Sequence, residues 1–329
     1  MISVICPTYN EEKYISVCLD SILQCDYPHQ DLEVLIVDGC STDQTRSIVQ
    51  SYVNKFPFIK LIDNFEKIVP AALNIGIAQA KGNIIIRIDA HAIYESNYFS
   101  TLVHYLQQLN ADNVGTVCKT EVLNKTPKSL AIREILSNKL GVGNSTFRTE
   151  KGSLKEVDTV PFGCWKKEVF EKYGNFNIKL IRNQDIEFNK RIINGGGKIY
   201  LVPESFCTYF ARETFSDLAV NNFANGKWNI LTVWYTNYFK SLSVRHFIPM
   251  LYMFSLLIPL LGCIFYFPLI YIFLSIFVVY IGAISSISLS LSLKKQLNIF
   301  YLLMGFIILH FSYGLGSFIG LITMIFHKK

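Results

Sequence analysis

The chain has 329 residues, enough for one large domain or two smaller ones, and 51% of them are hydrophobic. It carries 31 basic and 25 acidic residues, but Lys294, Lys295, Lys328 and Lys329 are the only formal charges beyond Phe247, so 27 basic residues face 25 acidic ones in the first 246 positions. That near balance gives no footprint for a nucleic-acid partner, and eight cysteines without a CxxC pair exclude a zinc site or a disulfide framework and predict reduced thiols.

The amino terminus, MISVICPTYN, has neither a basic n-region nor a long apolar stretch, so no cleaved secretory signal is predicted and the first domain is expected in the cytosol. Two apolar runs, ISVICP (2–7) and LEVLIVD (32–38), each end in a polar turn followed by a helical pattern, EEKYISVCLDSIL and STDQTRSIVQSYV. FIKLIDN (58–64) reads as a third strand, PAALNIGIAQAKG (70–82) as a helix closed by Gly82, and NIIIRID (83–89) as a fourth strand. Continuous apolar strands alternating with helices predict an α/β fold with a mostly parallel sheet covered on both faces. Polar residues then collect at the strand ends: Thr8, Asn10, Asp38 and Asp89. Open parallel sheets bind ligands beyond the carboxyl ends of their strands, which predicts one shared crevice.

Beyond residue 100, YFSTLVHYLQQL predicts another helix, and the Gly-, Ser- and Asn-rich stretch 138–158 predicts a loop that acts as a lid. Segment 214–245 mixes Trp228, Trp234, Tyr235, Tyr238 and Phe239 with Lys227, Lys240 and Arg245, a combination suited to helices lying in a headgroup layer. From Phe247 to Leu293 there are 47 residues without a formal charge, about twice the roughly 20 needed for one crossing, so two spans meeting near Pro268 are predicted (247–267 and 269–291). A third stretch, 299–326, either crosses once with tilt or is broken by SYGLGSFIG into a re-entrant pair. Arg245 and Lys294–Lys295 put both flanks of the first pair inside; Lys328–Lys329 then favour the re-entrant alternative.

For chemistry, the chain lacks both GxGxxG after its first strand and GxxxxGK[ST]. A nucleotide bound without them needs another handle on its diphosphate, and a carboxylate-held divalent cation is the common one. RIDAHA supplies Asp89 with His91 two positions on, able to face the same crevice; each residue type also serves as a plain cap or packed group. Asp38 precedes Gly39, which lets backbone approach a planar ligand. RNQDIEFNKR (182–191) adds Asp185 and Glu187 among amides and cations, either as proton-transfer groups or as partners of Arg182, Lys190 or Arg191.

Five ordered segments, CPTYNEEKYI, VLIVDGCSTDQT, ALNIGIAQAKGNIIIRIDAHA, VDTVPFGCWKKEVFEKYG and RNQDIEFNKRIINGGGKI, together resemble the family 2 glycosyltransferases of GT-A fold. More narrowly, they and the apolar tail resemble the succinoglycan-type exopolysaccharide glucosyltransferases, over about residues 2–230 for the soluble part. The resemblance implies that Thr8 and Asp38 contact the nucleotide base with Glu11 nearby, and that Asp89 opens a metal-binding Asp-x-Asp whose second position is here His91. A cation, Mg²⁺ or Mn²⁺, is thereby implied, the imidazole leaning toward Mn²⁺. It also implies that Asp185 is the catalytic base and that Asp158, Gly163 and Trp165 belong to the acceptor side, to which Glu187, Lys227 and Trp228 are added as candidates. Two family positions differ: Asp38–Gly39 stands for Asp-Asp, and Ala71–Ala72 stand where an arginine often precedes the N-x-G helix. NGKWN, with Lys227 and Trp228, is similar to the Gln-x-x-Arg-Trp element of processive synthases but lacks its Gln and Arg, which predicts transfer of a single sugar.

The implied protein is a membrane-anchored inverting enzyme moving one hexose, glucose, from a UDP-sugar to a polyprenyl-diphosphate-linked saccharide in exopolysaccharide, capsule or O-antigen synthesis. It would sit in a bacterial cytoplasmic membrane with its GT-A domain (1–213) toward the cytosol, an interfacial segment (214–246) and a membrane domain (247–329). A polyprenyl-phosphate sugar synthase and a non-catalytic nucleotide-sugar-binding scaffold are the alternatives.

Overall fold

The computed structural model describes residues 1–143, 153–237, 242 and 244–326, and the chain divides into two compact units. The first comprises Met1–Lys119 and Thr146–Phe210. Its sheet begins with four parallel strands, β1 (Ile2–Thr8), β2 (Leu32–Asp38), β3 (Ile59–Asp63) and β4 (Ile84–Arg87), in the order β3-β2-β1-β4. It continues through β8 (Cys164–Lys166), β6 (Asn113–Glu121), β9 (Ile199–Phe210) and β5 (Ala92–Tyr94), with β7 (Lys155–Glu156) also on β9. The pairs β4–β8, β6–β8, β5–β9 and β7–β9 are antiparallel, so the sheet is mixed where a mostly parallel one was predicted. The strands that change the sense are two or three residues long, too short for an apolar period to announce them.

Central β1 and β2 are buried on both faces, which is why they read as unbroken apolar runs. Alternate residues split between two cores. Val4, Cys6, Val34 and Ile36 pack with α1 (Ile15–Leu23), α2 (Thr45–Val53) and α4 (Tyr98–Gln108). Ile5, Leu35, Val37 and Ile85 pack with α3 (Val69–Gln79), α7 (Glu168–Tyr173) and α8 (Gln184–Asn194). Helix α3 stops at Gln79, three residues short of Gly82. The Lys81 and Gly82 amides leave the helical ladder to donate to Glu33 Oε1 and, at 2.8 Å, to Ser3 Oγ, which turns the chain into β4. Register then aligns the carboxyl ends, Thr8 opposite Asp38 and Ile5 opposite Arg87.

The second unit, Thr120–Ser145 with Ala211–Lys329, is helical: α5 (Pro127–Ile135), α6 (Lys139–Val142), α9 (Phe215–Thr236), α10 (Ile248–Gly262), α11 (Leu269–Lys295) and α12 (Ile299–Phe326). Ile132 and Ile135 of α5 pack with Leu302, Phe306 and Leu309 of α12, and Glu134 takes Lys295 Nζ at 2.7 Å. Residues 120–145 are therefore grouped with the apolar helices, although composition alone places them inside the predicted 1–213 domain. Helices α9 and α12 cross so closely that a Cβ on Gly226 would run into the Tyr313 carbonyl and one on Gly316 into that of Phe223.

Of the three predicted spans, α11 and α12 are long and apolar enough to cross a membrane. Helix α10 has 15 residues, about 22 Å, short of a roughly 30 Å hydrocarbon core. Helix α12 is one continuous 28-residue helix through SYGLGSFIG, with no re-entrant break. Only 6% of the apolar window of α11 is buried within the protein, and Ile284 with Tyr280, Ile281, Ile287 and Leu291 forms its one packed face, so the rest of its hydrocarbon is left partly or fully exposed. The predicted interfacial segment is largely the single helix α9; Tyr238, Phe239 and Lys240 lie outside the described residues, as does the 144–152 part of the predicted lid.

Candidate active site

The carboxyl ends of β1, β2 and β4 surround a cleft of about 150 Å³. Thr8, Glu11, Asp89 and His91, all singled out above, line it; so do Tyr9, Asn64, Lys67 and Arg87, which were not. Arg87 was detectable, being a cation in an otherwise apolar strand, IIIR, where burial demands partners. It is 7% exposed. Its Nη2 donates to Asp89 Oδ1 at 3.1 Å, and its Nη1 stands 3.9 Å from Asp185 Oδ2. One guanidinium thus links two of the expected carboxylates, Asp89 after β4 and Asp185 in the first turn of α8. Burial opposes the Arg87 charge, but Asp89 and Asp185 outweigh it and hold its pKa above the ordinary value.

Asp185 is positioned by the way α8 is anchored. Asn183, in left-handed conformation at φ 62°, starts the helix, and buried Asn189 pins it by donating to Thr159 Oγ1 at 2.9 Å and accepting from Asn113 Nδ2 at 2.7 Å. Asn113 also receives the Cys164 amide, tying the helix to β6 and β8. An acidic residue in a first helical turn is favoured by the exposed amides there. Asp185 remains 31% exposed at its side chain, open enough to meet a substrate.

His91 was expected beside Asp89 as a metal ligand. Its Nδ1 lies instead 2.9 Å from Glu11 Oε1, with Tyr209 edge-on to the ring at 4.8 Å. Burial opposes a charge on the imidazole, while the electrostatics of Tyr209, the hydrogen bond and charge of Glu11, and Asp89 beyond prevail and push it up to about 10. Only a ring nitrogen with a free lone pair ligates a metal, and the Nδ1 of His91 is engaged with Glu11. Among the described residues no group of three or more His, Cys, Asp or Glu side chains could hold a metal ion. Asp89 alone fits a cation of the Mg²⁺ type, which is satisfied by one or two carboxylates when phosphate oxygens complete the shell.

Asp38 does not line the cleft. It is fully buried, accepting from the Ser41 amide at 2.9 Å, Ser41 Oγ at 2.5 Å and Arg46 Nη1 at 2.7 Å, so its carboxylate shapes the loop after β2. Gly39 lines the cleft in its place; a Cβ there would lie 3.1 Å from the Tyr9 ring, which leaves little room for the aspartate often found at this position. Asn64 is 2% exposed, gives its Nδ2 to the Ile68 carbonyl at 3.0 Å, and keeps an unpartnered Oδ1.

The expected acceptor-side residues divide. Trp165 is corrected to a core residue: 1% exposed, its indole packs against Phe170, Phe176 and Phe188, because the β4–β8 pairing turns it into the helix-covered layer. Gly163, at φ 113°, lies against that indole, and its carbonyl accepts the Arg87 amide at 3.0 Å. Glu187 forms a two-pronged ion pair with Arg191, both contacts 2.8 Å, while Arg191 also ties down the Tyr173 and Asn175 carbonyls. That is a structural clasp. Asp158 lies 3.6 Å from Lys190. Lys227 and Trp228 are on α9 of the second unit, Trp228 stacked on Tyr235.

Residues 3–174, more than half of the chain, match the family model described as Glycosyl transferase family 2. The chain belongs to that family. This family 2 glycosyltransferase is 32% identical over 219 residues to the dolichyl N-acetyl-α-D-glucosaminyl phosphate 3-β-D-2,3-diacetamido-2,3-dideoxy-β-D-glucuronosyltransferase of Methanococcus voltae (65% of this chain, 68% of the relative). It is 27% identical over 227 residues to the succinoglycan biosynthesis protein ExoA of Rhizobium meliloti (68% and 67%). Among solved structures, the mannosyltransferase PcManGT of Pyrobaculum calidifontis, in complex with GDP-Man and Mn²⁺, superposes with a TM-score of 0.60 at 20% identity, covering 95% of this chain and 86% of that one. Staphylococcus aureus TarS 1–349 with UDP-GlcNAc gives a TM-score of 0.51 at 21% identity, and there this chain spans 64% of the other's length. At those identities the structural likenesses establish the fold, and it is the GT-A type that the motifs implied.

Proposed function

We propose that this glycosyltransferase moves a single hexose, glucose, with inversion from a UDP-sugar in the cleft to a polyprenyl-diphosphate-linked saccharide, and that Asp185 is the base. The observation that supports this is the contact of Arg87 with two carboxylates: Asp89 lines the cleft with it, and Asp185, outside the lining, is partly exposed 3.9 Å from the guanidinium. In the reaction, the acceptor hydroxyl gives its proton to Asp185 while its oxygen bonds to the sugar C1. The bond from C1 to the phosphate oxygen breaks, and the nucleoside diphosphate leaves with the electron pair. A Mg²⁺ or Mn²⁺ ion held by Asp89 would offset negative charge on that leaving group. Thr8 and Glu11 border the donor, and Gly39 and Tyr9 offer a flat wall for the base.

A lipid-linked acceptor is favoured by the dolichyl phosphate in the name of the M. voltae relative and by the exposed hydrocarbon of α11, which suits a chain embedded in a bacterial cytoplasmic membrane with its first unit in the cytosol. Mass analysis of products from membranes containing the protein, given a panel of labelled nucleotide sugars and both lipid-linked glycan and bare lipid phosphate, tests this. One added hexose on the lipid-linked glycan, with UDP released, is the expected result. Transfer to bare lipid phosphate, or none with any donor, would refute it.

A further inference from the structure

The Ile88 amide, just past β4, still bonds across to β1, donating to the Ile5 carbonyl at 2.9 Å. Asp89, one residue on, has left the sheet, and its peptide groups need other partners. One side chain supplies both. The Tyr94 hydroxyl accepts from the Asp89 amide at 2.8 Å and donates to the Asp89 carbonyl at 3.1 Å, so its proton and a lone pair both engage a single residue. The Cys18 thiol, 3.7 Å from the same carbonyl, adds a weak contact. Tyr94 is itself held from several sides. It is 3% exposed, and its ring meets that of Tyr98 edge-on at 4.8 Å, with Phe99 and Phe162 further out. Its amide donates to Ser21 Oγ of α1 at 3.2 Å, and β5 pairs it with Cys207 of β9. Wedged among three rings, it is a fixed point for the chain that leaves β4.

Arg87 holds Asp89 Oδ1 at 3.1 Å, but that contact acts on the end of the side chain and not on the main chain that carries it. A cation held by one protein carboxylate depends on where that carboxylate stands, because a small divalent ion such as Mg²⁺ demands near-ideal geometry. We propose that Tyr94 is a positioning residue: through its hydroxyl it fixes the Asp89 peptide, and so sets the carboxylate for the divalent cation that accompanies the donor. This rests on the glycosyl-transfer function argued above, with Asp89 as the carboxylate that holds the ion. A tyrosine that served packing alone would act through its ring, and loss of its hydroxyl would change stability without changing how the folded protein responds to the metal.

The test is calorimetric titration of the full chain in detergent with UDP and with GDP, in EDTA and across a series of Mn²⁺ concentrations, for the wild type, Tyr94→Phe and Asp89→Ala. The readout is the Mn²⁺ concentration at which half of the metal-dependent gain in nucleotide affinity is reached. Tyr94→Phe keeps the ring and should raise that midpoint about tenfold, the scale on which a group behind a metal ligand acts, while affinity in EDTA stays within about threefold of wild type. Asp89→Ala should lose the gain altogether. A Tyr94→Phe midpoint equal to that of wild type, with or without a lower melting transition, overturns the proposal and leaves the functional reading standing, provided that Asp89→Ala has lost the gain. Should Tyr94→Phe fail to fold, Ser21→Ala decides: it removes the acceptor of the Tyr94 amide and leaves the hydroxyl in place, so the midpoint should rise at least about threefold, and an unchanged midpoint overturns the proposal. If the wild type shows no gain with Mn²⁺ for either nucleotide, or Asp89→Ala keeps it, the ion is not held at Asp89 and both readings fall.

Discussion

The two edges of the parallel strands in the first unit each carry a buried charge, and they treat it differently. At the amino edge, Glu33 accepts from Ser3 Oγ at 2.6 Å and from the Lys81 amide, and pairs with Lys60 Nζ at 3.3 Å, while Ser3 takes the Gly82 amide. Each of those bonds closes a turn or joins neighbouring strands. At the carboxyl edge, Arg87 keeps two unpaired nitrogens and Asn64 an unpaired oxygen, and both line the cleft. Buried polar groups are ordinarily satisfied because an orphan costs more than its bond returns. The satisfied edge serves the fold, whereas the edge a few residues along the same strands leaves polar groups at the cleft without a protein partner.

Substitutions at the two edges sharpen that contrast. Asp185→Asn should lower transfer most, by roughly 10²–10⁴-fold, with nucleoside diphosphate affinity nearly unchanged, because it removes the base and little of the donor site. Near-normal turnover in single-turnover assays would remove Asp185 from the mechanism. Asp89→Ala should weaken both transfer and metal-supported donor binding, by roughly 10–100-fold in the donor Kd, since it frees Arg87 as well as vacating the carboxylate.

Glu33→Ala should behave in the opposite sense. The lost network should lower unfolding stability by about 2–3 kcal/mol in denaturant titration, while kcat per folded molecule stays as it was. Burial raises the Glu33 carboxyl, and the bonds from Ser3, Lys81 and Lys60 more than reverse that, leaving it below its ordinary 4.5. A carboxylate depressed in the folded state stabilises fully above its unfolded pKa and stops doing so as pH falls through the folded one. The gap between wild type and Glu33→Gln should therefore be constant at neutral pH and close below about pH 4.5. A gap that widens on acidification contradicts the assignment. The smallest effect belongs to Gly39→Ala: the new methyl meets the Tyr9 ring, so the donor KM should rise a few-fold with stability changed by less than about 1 kcal/mol.

Much of this contrast was readable in the residues. Unbroken apolar runs located β1 to β4, and the strand-end rule collected Thr8 and Asp89 at one cleft. Asp38 shows the limit: its place at the strand end was legible, but the engagement of its carboxylate by Ser41 and by Arg46 eight residues on depends on how the loop folds back. Trp165 was placed on the acceptor side by the resemblance, and the strand that buries it is three residues long and gives no period to show otherwise. Arg87 carried a signal that went unused, a lone cation in an apolar strand. The grouping of α5 with α12 was illegible, since the apolar face of a nine-residue helix does not name the partner that covers it.

The most direct measurement of the central claim, that the unsatisfied carboxyl edge is the donor site, is an experimental structure of the full chain with a nucleoside diphosphate and Mn²⁺. A diphosphate in the cleft beside Asp89, with the Asp185 carboxylate facing the side of the β-phosphate where the sugar would lie, is the result expected. Density for the diphosphate outside that cleft, with Asp185 turned from it, would contradict the account.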